Sequence, residues 1–136
     1  MCGNLPGGAS FRANIGSVVT IHPDEFDRLV EDALARIPRR FRRRMHNVAM
    51  VVEPEAPRPG LLGLYRGRPL PDRSVFEPFA MPDQIVIYQG THERLARDRE
   101  HLARMVQDTV WHEIAHYFGM NEARVRAAER RHGHGF

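Results

Sequence analysis

Apolar residues recur at helical spacing in two long segments of this chain and cluster in three short ones between them. From Pro23, the positions Phe26, Leu29, Val30, Ala33, Leu34 and Ile37 follow one another at steps of one, three and four, forming a single stripe of a helix. Proline suits the first helical position, Asp24 and Glu25 place negative charge in the first turn, and Pro38 ends the regular ladder. A second helix is expected from about Asp98 to Phe118. Leu102, Val106, Val110 and Ile114 make one stripe along it, and Met105, Thr109, His112 and His116 make an adjacent one. Gly119 then suits the left-handed position that closes many helices. Asn121 is placed to cap a last short helix from Glu122 to about Arg131.

The three short runs read as strands: Val48–Val52, Leu61–Tyr65 and Gln84–Tyr88. In the third, Ile85 and Ile87 face one way and Val86 and Tyr88 the other. Three prolines make 54–60 a loop, and four make 69–82 an irregular surface stretch. The expected organisation is a flexible arm over 1–20, one domain over 21–131 and a tail over 132–136. Helices grouped around a few strands make this an α+β chain.

Composition narrows the picture modestly. At 136 residues and 42% hydrophobic content, one core is expected rather than two. No apolar run approaches the roughly 18 residues needed to cross a bilayer, and Met1 to Ser10 lacks a basic stretch leading into an apolar one. Cys2 is the only cysteine, so no internal disulfide forms and the cytoplasm is the expected compartment. All 20 basic residues are arginine, which base composition of the genome explains, and the net charge is +3. Only Arg39-Arg40-Phe41-Arg42-Arg43-Arg44 forms a cluster. Following a helix, it reads as a solvated cap on the macrodipole, and no nucleic-acid partner is expected.

The second helix carries the chemistry. His112-Glu113-Ile114-Ala115-His116 fits H-E-x-x-H, a pattern expected by chance in roughly one such chain in thirty. Residues four apart share a helix face, so two imidazoles there can converge on one metal at about 2.0–2.1 Å. Glu113, one step round, is placed to take a proton from a water whose pKa zinc lowers to roughly 7. A catalytic site needs a third ligand. The bend at Gly119 can return Glu122 toward the pair, giving a His₂Glu set of His112, His116 and Glu122.

At this point the chain resembles the small bacterial minimal zincins, the zincin-like metallopeptidases. The likeness covers about residues 22 to 127. It rests on His22-Pro23-Asp24-Glu25-Phe26, Asn47 to Glu53, Leu62-Gly63-Leu64-Tyr65, Pro69-Leu70, Met81 to Tyr88, and His112 through Gly119. The resemblance implies a reduced zincin fold, a small mixed sheet packed on two main helices with zinc at the second. It also implies an acidic third ligand, often Asp, where this chain has the longer Glu122. Larger zincins bind substrate along an exposed sheet edge, and Gln84 to Gln89, with Ile85, Val86, Ile87 and Tyr88, reads either as that edge or as an ordinary core strand.

The function expected is zinc-dependent hydrolysis of a peptide or protein substrate by a metal-bound water. The alternative keeps the zinc without significant proteolysis, as an interaction or regulatory domain. Tyr88, Tyr117, His132 and His134 are candidates to stabilise the oxyanion, and the spacing selects none of them. Asp108, one turn before His112, is either solvent-exposed or an acceptor for that ring's free N–H. Trp111 is expected to pack the back wall, and His22, His46, His92 and His101 to be surface or capping residues. Neither the oligomeric state nor the cleavage preference is legible.

Overall fold

A computed structural model describes residues 19–67 and 82–119. The first helix, α1, spans Pro23–Ala35; His22 caps it, its Nδ1 accepting from the Asp24 N–H at 3.0 Å. A second short helix, α2, spans Arg39–Arg42, with Pro38 at its N-cap. Pro38 therefore ends one helix and opens another, a feature the hydrophobic pattern did not predict. Three strands follow: β1 is Val48–Glu53, β2 is Gly63–Arg66 and β3 is Asp83–Tyr88. Helix α3 covers Gln89–Leu95, and α4 covers Arg99–Tyr117. Asp98 caps α4 through a 2.8 Å bond from the His101 N–H. Gly119, at φ +81°, closes it by donating to the His116 carbonyl at 2.9 Å.

The strands form one mixed sheet in the order β1-β3-β2. β3 runs parallel to β1, with Val48 opposite Asp83 and Glu53 opposite Tyr88. It runs antiparallel to β2, with Gly63 opposite Ile87 and Arg66 opposite Gln84. β3 is thus central, and Ile85, Val86, Ile87 and Tyr88 are all fully buried. The alternation expected for this strand is visible only as a choice between two covered faces. Ile85 and Ile87 join the main core, and Val86 and Tyr88 do not.

The core gathers Phe26, Val30, Ala33 and Ile37 with Leu102, Val106, Val110, Trp111 and Ile114 around Ile85 and Ile87. α1 packs on α4, and α4 lies across β2 and β3. Both stripes read from spacing face this core, with Leu29 and Leu34 only partly buried at its margin. This is the α+β architecture anticipated: a small mixed sheet on two main helices. No helix among the described residues is long and apolar enough to cross a membrane. The 69–81 stretch, the helix expected from Glu122, the tail and the arm up to residue 18 lie outside the described residues.

Candidate metal centre

α4 carries the histidine pair on its last two turns, and its position decides what those side chains meet. Nε2 of His112 and Nε2 of His116 lie 3.1 Å apart, with ring planes at 72°. Both rings are half-buried and line a cleft of about 540 Å³ with Asp108, Thr109, Glu113 and the strand segment from Leu61 to Tyr65. The edge of a tetrahedron with arms of about 2.0–2.1 Å is about 3.3 Å, so the two nitrogens are spaced as neighbouring ligands of one ion. Two imidazoles are also donors that zinc accepts. On donor type and spacing, the pair fits a zinc ion.

Glu113 is only 7% exposed yet reaches the cleft wall, held there by the close approach of β2 to α4. That approach depends on Gly63. A Cβ at this position would stand 2.7 Å from the Thr109 methyl, 3.1 Å from the Val86 carbonyl oxygen and 3.3 Å from Cγ of Glu113. No side chain other than hydrogen fits without moving a neighbour. Glycine at 63 is thus the residue that lets an outer strand lie against the helix bearing the carboxylate.

Behind the cleft sits a group that sequence reasoning misplaced. His92, expected at the surface or as a cap, is fully buried. Its Nδ1 lies 2.8 Å from the Tyr88 carbonyl oxygen and must donate to it. Its Nε2 lies 2.9 Å from Oγ1 of Thr109, which is also 2.9 Å from the Met105 carbonyl oxygen. Burial pushes the imidazole pKa below its ordinary 6.5, outweighing the Tyr88 and Met105 backbone carbonyls, which as acceptors raise it. A neutral ring protonated at Nδ1 carries a lone pair at Nε2, which accepts a hydrogen bond when the Thr109 hydroxyl turns to it rather than to Met105. The edge of the Phe26 ring packs on His92 at 5.7 Å. The ring thereby ties the end of β3 to α4 one turn before the cleft-facing pair. No local pattern marks it, since a lone histidine four residues after a strand has no periodic partner.

The other expected residues divide. Ile85, Val86, Ile87 and Tyr88 are not a substrate-binding edge: both sides of β3 are occupied, by β1 and β2. The cleft-lining strand is β2, whose sequence had suggested only an ordinary strand. Tyr88 is fully buried, its hydroxyl finds no hydrogen-bond partner among the described residues, and it does not line the cleft. Tyr117 is buried too; its hydroxyl accepts from the His46 N–H at 3.1 Å, and its ring edge meets Tyr65 at 6.2 Å. Neither tyrosine lines the cleft. Trp111 packs the core as expected, and Asp108 lines the cleft beside His112. His101 caps, accepting from the Arg97 N–H at 2.9 Å. Glu122, His132, His134 and Cys2 lie outside the described residues. Among the described residues, no group of three or more His, Cys, Asp or Glu side chains is gathered to hold a metal.

A mixed three-stranded sheet under a long helix, with paired histidines one turn apart facing a cleft, is the plan of a minimal zincin. The family model for zincin-like metallopeptidases matches residues 45–132, more than half of the chain, and the protein belongs to that family. No curated protein matches it.

Proposed function

We propose that this protein is a zinc-dependent peptidase whose metal is held by His112, His116 and Glu122. The observation that carries the reading is the 3.1 Å spacing of the two Nε2 atoms in the wall of a cleft that also holds Glu113. Zinc, when bound, supplies Lewis acidity, acidifying a water and polarising a carbonyl. Everything else falls to the chain. β2 pairs with β3 on one side only among the described residues, and residues 61–65 line the cleft. An extended peptide adds to that outer edge by backbone hydrogen bonds, the usual mode of strand addition. Glu113 takes a proton from the attacking water and passes it to the departing amine nitrogen. Its burial beside Gly63 limits the orientations the carboxylate can adopt, which favours proton transfer along one path.

Metal analysis and turnover test this together. Purified protein is expected to hold about one equivalent of zinc, lost in His112→Ala and in His116→Ala. Glu113→Gln keeps the metal and loses roughly 10²–10⁴-fold in cleavage of unstructured peptides. Equal metal content in parent and histidine variants refutes the site. A Glu113→Gln protein as fast as the parent refutes the proton-transfer role. Zinc bound by a parent that cleaves nothing leaves the interaction-domain reading in its place.

A further inference from the structure

The surface beside the active helix is electrically lopsided. The 20 residues from Ala33 to Val52 contain six arginines and no acidic residue. Of the chain's 20 arginines, that leaves 14 elsewhere, against 17 acidic residues. The net positive charge of the chain therefore resides in this one segment, and the remainder is net acidic. Arg39, Arg40, Arg42, Arg43 and Arg44 are all exposed. Two other arginines, Arg94 and Arg99, do find carboxylates, on Glu55 and Glu25. Arg39, Arg40, Arg43 and Arg44 pair with none among the described residues, and Arg42 bonds the Ile37 carbonyl through Nε at 2.9 Å.

This cap is fixed rather than trailing. Phe41, in the middle of the arginines, turns inward and sets its ring against Trp111 at 5.5 Å and Phe118 at 5.6 Å. Trp111 immediately precedes His112, and Phe118 ends α4 two residues after His116. The arginines are thus anchored to the end of α4 that bears the histidine pair. A genome poor in lysine codons explains why the residues are arginine; it does not explain why Arg39, Arg40, Arg43 and Arg44 gather here with no carboxylate partner among the described residues.

We propose that the α2 arginine cap is a docking surface for an acidic segment of a polypeptide, with binding energy coming from several guanidinium–carboxylate contacts at once. Carboxylate is the group that planar guanidinium forks recognise in pairs. A polypeptide rather than a nucleic acid is favoured because the cap offers no stacking platform. Phe41 is half-buried against the core with the Arg40 guanidinium 4.8 Å over its ring, and the only exposed large apolar side chain among the described residues is Leu95, on α3. The choice of a polypeptide also rests on the peptidase reading, since a cap on α4 would hold a substrate near the cleft. Binding is measured without turnover, so the two fail separately.

The experiment is fluorescence anisotropy of a labelled short polyglutamate peptide, at low ionic strength and again at about 0.15 M salt. Replacing Arg39, Arg40, Arg43 and Arg44 together with Gln is expected to weaken binding by about tenfold or more. Replacing Arg28, Arg58, Arg97 and Arg104 with Gln removes the same net charge elsewhere and is expected to leave affinity within about twofold. Changing the four cap residues to lysine keeps the charge but loses the paired guanidinium bonds, and is expected to weaken binding by less than the Gln change does. Circular dichroism checks that every variant folds. Equal losses in the two Gln variants, or no binding by the parent, overturns the proposal. So does an oligonucleotide of matched charge that binds the cap more tightly than the peptide.

Discussion

Three imidazoles meet the C-terminal half of α4 in opposite surroundings. His92 packs against the helix from behind, fully buried, with both ring nitrogens within hydrogen-bonding distance of fixed protein atoms. His112 and His116, on the helix itself, turn their Nε2 atoms toward each other in a cleft. The side-chain chemistry is the same in both places. A saturated, desolvated ring can only brace the fold, whereas rings whose nitrogens converge in a cleft can take a ligand. Thr109 stands between the two regions, its hydroxyl turned to His92 and its methyl to Gly63.

The sharpest test exchanges the two roles. His112→Ala should abolish stoichiometric zinc and peptidase turnover while shifting the urea midpoint of the metal-free protein little. His92→Ala should do the reverse in kind, keeping zinc but costing roughly 2–4 kcal/mol of stability. It leaves a cavity and strips hydrogen bonds from the Tyr88 carbonyl and Thr109. Metal analysis beside urea unfolding separates the outcomes, and zinc loss in His92→Ala would erase the distinction.

Gly63→Ala comes next. The added methyl meets the Thr109 methyl and the Glu113 stem, so a stability cost of about 1–3 kcal/mol and a fall in turnover are expected with metal content unchanged. Full activity in that variant would mean β2 does not set the position of the carboxylate. Thr109→Val keeps the shape and removes the hydroxyl, leaving Nε2 of His92 without a donor. The expected cost is about 1–2 kcal/mol, read as a lower midpoint with zinc retained.

The smallest effect is a pH dependence. Burial holds the folded His92 pKa below 6.5, so as pH falls through 6.5 the unfolded chain takes up the proton first. Stability of the metal-free protein should therefore decline on acidification, until the folded ring also protonates. Above pH 6.5 this contribution is fully present. Subtracting the pH profile of His92→Gln isolates it, and a difference that does not vary across that range would contradict a neutral buried ring.

Much of this was legible in the chain because it is local. Helical spacing exposes α1 and α4 directly, since each stripe repeats over several turns and proline, aspartate and glycine mark the ends. The convergence of His112 and His116 follows from helix geometry alone, being a matter of four residues along one axis. Helix α3 was not legible: seven residues beginning with Gln and Gly have weak propensity and no stripe. It is held instead by contacts from elsewhere, such as the 2.8 Å bond from the Gly90 N–H to the Pro54 carbonyl.

What the sequence determined by itself, then, was periodic: the two long helices, the three strands, and which two imidazoles share a face. Only the tertiary structure decided that β3 lies inside the sheet and β2 beside the cleft. Alternation within a strand says nothing about which strands flank it, because pairing joins residues far apart in the chain. The same reason hid His92 and Gly63. Burial of a single ring, and the closeness of two backbones, are properties of neighbours brought together only when the sheet and α4 meet.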